Sequence, residues 1–360
     1  MRICFVLPKF TRQPIGGYKI VFEYANRLQK LGNQVVILFL NEDALKQFPL
    51  PSKLRVWIAN YITNIEPKWF SLDKKIIKLS SLQKKYEEKL NDIDVCFATG
   101  IQTVEVVRKN FLNVQKFYFI QGYENWYYTD EYVKQTYNYG FKNIVISNWL
   151  KEIVDRYSNT PSYILKNPID IEIYKMMNPQ ERRTDHTIGL LYHTEPYKGV
   201  GYAMEAIRRI KSQYPDLQVY MFGMFPKPRN LPAWIHYKQG AKQEDTVEIY
   251  NKVQVFLCAS IEEGYGLTGL EAMACGACLV STAYRGVSEY AKDNYNALLS
   301  PVKDIDALVA NVLYLFDNPS ERKRISDNGI ESVKDYSWEK AINSLCKMMG
   351  DRYDQTCKSM

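Results

Sequence analysis

The sequence predicts an α/β protein of two domains, each a parallel β-sheet covered by helices. Three observations carry that prediction. The chain has 360 residues, more than twice the ~150 of an average domain. Short β-branched and apolar runs alternate with amphipathic helical stretches, and strand alternating with helix means parallel strands joined by crossovers. The alternation halts at Asn167-Pro168-Ile169-Asp170 and then restarts.

In order, the first series of expected strands is RICFVLP (2–8), QVVILFL (34–40), DVCFAT (94–99), KFYFIQ (116–121) and NIVISN (143–148). Between the first two, KIVFEYANRLQKLG (19–32) sets Ile20, Tyr24, Leu28 and Leu31 at helical spacing. After the break come the strand TIGLLY (187–192), a helix near 201–213 and the strand QVYMFG (218–223). A helix near 244–252, the strand QVFLCA (254–259) and a helix from about 268 follow. The expected domains are 1–168 and 169–336. Residues 337–360 are expected to form a C-terminal helix and tail crossing back to the first domain, although periodicity alone does not say where the helix packs. The last ten residues, DRYDQTCKSM, are polar and expected to fray.

Composition excludes several classes. Apolar residues make up 46% and charged residues 24%, ordinary globular usage that argues against disorder as the main state. No apolar run approaches the ~20 residues of a membrane span, and MRICFVLPKF has too short an apolar stretch for a signal peptide. A cytoplasmic protein is expected. Seven cysteines, most inside apolar runs, do not suggest a disulfide scaffold.

The net charge of +7 is uneven. Residues 1–170 carry 24 Lys and Arg against 16 Asp and Glu, and residues 171–360 carry 23 against 24. An anionic partner should therefore meet the first half. Within it, residues 67–90 hold seven lysines against three acids, with Trp69, Phe70, Ile76, Leu79, Leu82, Tyr86 and Leu90 as an apolar stripe. That profile fits a helix lying on an anionic membrane surface, and equally an ordinary surface helix with its stripe on the core. Nucleic acid is not an expected partner, because no binding motif or arginine-rich stripe is present.

The chemistry concentrates in Ser260–Gly276, SIEEGYGLTGLEAMACG, between an apolar strand and a helix. Strand, glycine-containing loop and helix form the usual phosphate cradle of α/β proteins. Gly264, Gly266 and Gly269 let main-chain N–H groups approach a ligand. Glu263 and Glu271, eight positions apart, bracket the loop. Carboxylates accept hydrogen bonds from hydroxyls, so this arrangement suits a ligand with hydroxyls at both ends and a diphosphate between them, as in a nucleotide sugar. Thr268-Gly-Leu-Glu271 also reads as a capping box, Thr268 as N-cap and Glu271 returning to the backbone. Glu263 has no such local explanation.

Glu263-x7-Glu271 within EGYGLTGLEAMACG resembles the signature of glycosyltransferase family 4, retaining enzymes of the GT-B fold in bacterial surface polysaccharide synthesis. The resemblance extends in order through ILKNPID (164–170), YKG (197–199), IHYKQGAKQEDTVEIYNKVQVFLCAS and VSEYAKDNYNALLSPVKDIDAL. It is strong over most of 160–340. In the first half it rests on Gly16-Gly17 and SNWLKE (147–152). It implies two Rossmann-like domains facing a cleft, the acceptor bound by the first and the nucleotide sugar by the second.

Carried over residue by residue, the resemblance implies that Glu263 binds a donor-sugar hydroxyl and Glu271 the ribose. The stretch Gly264, Tyr265, Gly266, Leu267 and Thr268 would meet the donor, with the diphosphate on the main chain of Gly266 to Thr268. Lys198 would neutralise the leaving diphosphate, and Gly16 and Gly17 would complete the donor pocket from across the cleft. The catalytic candidates are thus Glu263 and Lys198. Two departures stand out. The arginine that many members place shortly before the lysine is missing from LLYHTEPYKG, where Tyr192 or His193 is the counterpart. The first domain contains no histidine at all, and Gln121 in FYFIQGYEN occupies the place of the family's usual one. Gln121, Tyr123 and His193 are candidate sugar or acceptor contacts, and Trp126, Tyr127 and Tyr128 extend the aromatic cluster.

Two motifs are set aside. Cys275-Gly-Ala-Cys278 has redox spacing but joins a helix to an apolar strand, and Asp92-Ile-Asp94 mimics a metal-binding pair but opens a strand. No metal and no cofactor are expected. The resulting expectation is a retaining hexosyltransferase with UDP-glucose as first donor and dTDP-rhamnose or GDP-mannose as alternatives. Its acceptor would be a saccharide or a lipid-linked saccharide, reached at the inner face of the plasma membrane. A sugar-nucleotide 2-epimerase and a non-catalytic nucleotide-sugar-binding subunit are the competing readings.

Overall fold

The computed structural model describes residues 1–125 and 128–350. Trp126, Tyr127 and the expected fraying tail, with Cys357, lie outside the described residues. The chain forms two compact units. One holds Met1–Lys166 and is rejoined by the chain from Ala341, and the other spans Asn167–Lys340.

The first unit contains β1 (Arg2–Leu7), α1 (Gly16–Lys30), β2 (Gln34–Phe39), α2 (Ser52–Ile65), β3 (Ile77–Ser80), β4 (Val95–Ala98) and α3 (Ile101–Asn110). It continues with β5 (Gln115–Ile120), α4 (Asp130–Thr136), β6 (Lys142–Val145), α5 (Asn148–Tyr157) and β7 (Tyr163–Ile164). The strands form one seven-stranded sheet in the order β3-β2-β1-β4-β5-β6-β7, parallel throughout. Its central strands read as unbroken apolar runs, such as ICFVL in β1 and VVILF in β2, because helices bury both faces of a parallel sheet. In α1, Ile20, Tyr24 and Leu28 turn inward as their spacing predicts. The helix starts three residues before the expected position, since Gly16 and Gly17 form its first turn instead of preceding it.

The expected helix within 67–90 does not exist. That stretch contains the edge strand β3 and a short 3-10 turn at Glu87–Leu90. Lys78 donates to the carbonyls of Asn64 and Glu66. Trp69 packs on Phe22, ring centroids 5.6 Å apart, and its indole N–H donates to the Thr11 carbonyl. The residues that looked like one helical stripe are therefore divided between a strand and loops. The helix of this region is α2, upstream of it.

The second unit contains β8 (Thr187–Leu191), α6 (Val200–Gln213), β9 (Gln218–Gly223), β10 (Ile235–Gln239), α7 (Gln243–Lys252), β11 (Val255–Cys258) and α8 (Leu267–Ala274). Then follow β12 (Cys278–Thr282), β13 (Ala297–Ser300), α9 (Ile305–Asp317), α10 (Pro319–Val333) and α11 (Trp338–Met349), the last running on into the first unit. Its six strands are parallel, in the order β10-β9-β8-β11-β12-β13. Ile188, Leu190, Val219, Met221, Val255 and Leu257 from the strands meet Ala203, Ile207, Ile210 and Leu308 from the helices in one core.

The order of the strands reverses once in each sheet, at β1/β4 in the first unit and at β8/β11 in the second. Open α/β sheets bind ligands beyond the strand C-termini at such a switch point. In the second unit those positions are the segments after β8 and β11, which contain Lys198 and Glu263.

Candidate active site

The turn after β8 ends in a 3-10 turn at Pro196–Lys198, and Gly199 starts the next helix with φ of +63°. A Cβ on Gly199 would lie 1.8 Å from the carbonyl oxygen of Ala259. Only glycine lets this turn press against the end of β11, where the Ile261 N–H also donates to the Tyr197 carbonyl at 2.7 Å. Lys198 is thereby carried to the loop that follows β11.

There its ammonium sits 3.0 Å from Glu263 Oε2, with side-chain exposures of 19% and 11%. The other carboxylate oxygen, Oε1, accepts from the Ser260 hydroxyl at 2.5 Å. Burial alone would lower the Lys198 pKa, but the charge and hydrogen bond of Glu263 outweigh it and lift the ammonium above the ordinary lysine range. Ser260, Glu263, Thr268 and Lys198 line one small pocket. Glu263 is thus an ordered, paired carboxylate, and its partner comes from 65 positions upstream, which local spacing cannot reveal.

Behind the loop stands a tyrosine scaffold. Gly266 has φ of +87°, and a Cβ there would lie 1.9 Å from Tyr284 Oη. Tyr290 Oη donates to the Gly266 carbonyl at 2.7 Å and lies 3.0 Å from Tyr284 Oη. The Tyr265 ring is buried beside Tyr290, so its side chain belongs to this scaffold. Gly286 approaches Glu263 and Gly264 so closely that a Cβ would meet their carbonyl oxygens at 2.7 Å. The loop is held from beneath, leaving the first-turn N–H groups of α8, at Leu267 and Thr268, at the helix end where anions bind.

The capping-box reading of Thr268 and Glu271 fails. Gly266 is the N-cap of α8, and Thr268 lies inside the helix. Glu271 is buried and accepts from Tyr250 Oη at 3.2 Å, across to α7. Of the two counterparts of the missing arginine, His193 has Lys198 and Glu263 in its electrostatic surroundings. Burial, then the Lys198 charge, lowers its pKa. Its Nδ1 accepts from the Glu195 N–H at 3.1 Å. Tyr192 sets its ring edge-on to Tyr237, centroids 5.6 Å apart.

In the first unit, Gly17 and Gln121 come together. A Cβ on Gly17 would lie 3.1 Å from Gln121 Oε1. Tyr123 is half-buried, and burial followed by nearby Asp130 pushes its phenol up to about 12. The same loop holds a carboxylate that sequence reasoning missed. Glu124 Oε2 accepts from the Ile101 N–H at 2.5 Å, at the N-terminus of α3. Burial raises its pKa to about 7, against the lowering effect of the Ile101 hydrogen bond. Glu124 is half-buried, and nothing in FYFIQGYEN marks it as desolvated, since that depends on the ends of β1 and β4, where Pro8 and Gly100 lie beside it.

The two set-aside motifs have structural partners. Cys275 and Cys278 are free and buried, and burial pushes both thiols up to about 12. Asp94 Oδ2 accepts from the Arg2 N–H at 2.7 Å, and the Arg2 guanidinium lies 3.6 Å from Asp92. Among the described residues, no three His, Cys, Asp or Glu side chains are grouped to hold a metal ion, and no helix is long and apolar enough to cross a membrane.

The architecture is that of the GT-B glycosyltransferases. HepE of Anabaena, solved with UDP and glucose, superposes with a TM-score of 0.75 at 12% identity, over 97% of this chain and 99% of that one. Residues 176–332 match the family model of the glycosyl transferases group 1, so the second unit carries a glycosyltransferase domain. An uncharacterized glycosyltransferase of Methanocaldococcus jannaschii is 27% identical over 222 residues, 59% of this chain and 60% of that protein. The O-antigen chain mannosyltransferase B of Escherichia coli is 32% identical over 107 residues, 30% of this chain and 28% of that protein. The match thus spans three fifths or less of the length of these curated relatives.

Proposed function

We propose that the protein is a retaining, metal-independent glycosyltransferase that moves a hexose from a nucleotide sugar to a saccharide or lipid-linked acceptor in envelope polysaccharide synthesis. The observation that carries this reading is the Lys198–Glu263 pair at 3.0 Å beside the N-terminus of α8. Lys198 has three N–H donors and spends one on Glu263, so a diphosphate can take another. The Leu267 and Thr268 N–H groups complete the anion site. Glu263 holds a sugar hydroxyl and Glu271 the ribose. In the first unit, Gly16, Gly17 and Gln121 are the proposed sugar-binding residues.

With no histidine in the first unit, the simplest chemistry is attack on the face the diphosphate leaves. The bond from the anomeric carbon to the diphosphate oxygen breaks, the acceptor oxygen bonds to that carbon, and the departing oxygen takes the acceptor's proton. Lys198 and the helix N–H groups stabilise the charge that develops on the diphosphate. UDP-glucose is the first-choice donor, a reading supported by the resemblance to HepE with UDP and glucose. GDP-mannose is the alternative supported by the mannosyltransferase relative.

A thermal-shift series over UDP-glucose, GDP-mannose and dTDP-rhamnose tests the reading, because a ligand that binds only the folded state raises its stability. One donor should raise Tm and be slowly hydrolysed. A chain stabilised by none of them is not this enzyme. A chain that binds one and never cleaves it is a donor-binding subunit, the reading the missing arginine favours.

A further inference from the structure

The membrane profile sought in residues 67–90 occurs in the structure on α2. The inner side of this helix is fully used: Ala59, Ile62 and Thr63 are buried, and Thr63 accepts from Asn41 and donates to the Ala59 carbonyl. The outer side is not. Leu54 is 43% exposed, Trp57 64%, Tyr61 55% and Ile65 37%, and Phe48 in the preceding loop is 52% exposed. The four helix positions are spaced three, four and four apart, so they fall on one stripe. The Trp57 and Tyr61 rings stack 5.8 Å apart at 7°. A helix normally sends its apolar stripe to the core and its polar face to water. This one has an apolar face on each side, and the outer one contains its largest side chains.

We propose that α2 is an interfacial helix that lays this outer stripe on a bilayer surface carrying anionic lipid. Three observations select that occupant. The stripe is led by Trp and Tyr, whose amphipathic rings settle at headgroup depth. Residues 42–89 carry ten basic side chains against six acidic ones, with Lys46 and Lys85 paired to Asp43 and Glu88, and exposed Lys53 stands one turn before Trp57. A basic segment of this kind is drawn to an anionic leaflet. Finally, a 14-residue helix is about 21 Å long and ~10 Å wide, a footprint far below the ~800 Å² per partner of a stable protein interface. The inference goes beyond sugar transfer and does not depend on it.

Flotation with phosphatidylcholine vesicles, with and without phosphatidylglycerol, tests it on the full chain. The wild type should float with the phosphatidylglycerol vesicles at low salt and less as salt is raised. Brominated lipid should quench its tryptophan fluorescence. Trp57→Ala/Tyr61→Ala should lower partitioning more than tenfold with an unchanged Tm, since both side chains face water. Trp69→Phe should leave partitioning within twofold of wild type. Wild type that stays soluble, or a double variant that floats equally well, overturns the proposal. So does a dimer seen by light scattering that the double variant abolishes, because the face would then belong to a second copy. Donor-induced Tm shifts, read on the same samples, report on the glycosyltransferase reading separately.

Discussion

The Lys198–Glu263 pair can be weighed by a double-mutant cycle. At 3.0 Å and an effective dielectric near 20, the gross attraction is about 5 kcal/mol. Both groups lose water to form it, so the net worth of the pair is far smaller, but removing one partner leaves the other charge poorly solvated. Breaking a well-buried pair in that way costs roughly 3–5 kcal/mol. With side-chain exposures of 19% and 11%, Lys198→Ala and Glu263→Ala should each destabilise the protein by about 2–3 kcal/mol. The double variant should fall well short of the sum, giving a coupling energy of about 2 kcal/mol. Urea unfolding of the four proteins at pH 7.5, followed by fluorescence and circular dichroism, measures it. The folded-state pKa of Lys198 is raised, so the stabilisation is fully present below the ordinary lysine pKa and is lost only as pH rises through the raised value. The coupling should therefore be the same at pH 6 and pH 8. A coupling below about 0.5 kcal/mol, in the range of exposed pairs, would mean that the two residues do not meet and that the anion site is not preassembled.

Gly199→Ala should cost at least about 2 kcal/mol and abolish donor binding, because its left-handed φ and the 1.8 Å approach to Ala259 would displace the Lys198 turn; a variant with wild-type Tm and donor affinity refutes that role. Glu124→Gln should leave stability unchanged at pH 4 and raise it by up to ~3 kcal/mol at pH 8. The sign follows from a folded-state pKa raised from 4.5 to about 7: the penalty on the ionised group is absent below the lower value, grows between the two and is complete above the higher. The same difference at both pH values would show that the carboxylate is not desolvated. Lys198→Ala should lower kcat more than donor affinity, since charge on the leaving group peaks in the transition state, and turnover should survive EDTA; equal losses, or strict dependence on Mn or Mg, would assign the diphosphate to other groups. Glu263→Gln keeps an acceptor for Ser260 but frees the Lys198 ammonium, so it should bind free nucleoside diphosphate more tightly while transferring more slowly. Parallel loss of both would mean that Glu263 does not compete for Lys198.

Most strands were legible because parallel strands buried on both faces read as unbroken apolar runs: ICFVL, VVILF and VFLC need no context. The short edge strands β3 and β7 were not, since Ile77–Ser80 and Tyr163–Ile164 offer too few residues for any pattern. The false helix in 67–90 shows the limit of periodicity. Its stripe matched helical spacing, but Ile76 and Leu79 are buried around a strand, and Lys78 is drawn onto the carbonyls at the end of α2. The helix α2 escaped notice for the opposite reason, because apolar residues on both of its faces blur the moment by which amphipathic helices are recognised.

The site divides along the same line. Gly266 was legible because a close backbone approach restricts the residue type at one position, whereas Gly199 entered only within YKG, through the family resemblance. Pairings were not legible. Ser260 could in principle be read as a neighbour of Glu263, three positions away, but Lys198 meets Glu263 only because β8 and β11 are adjacent at the reversal of the strand order. Tyr250 meets Glu271 only because α7 packs beside α8, and this turned an apparent capping box into a buried carboxylate with a partner on another helix. Glu124 is the strongest case. Its chemistry is set by desolvation where β1, β4 and β5 end together, and a carboxylate near pH 7 in its titration differs from an ordinary one in surroundings alone. Chain-local geometry constrains residue identity, whereas the charge state of a site depends on which segments the sheet order brings side by side.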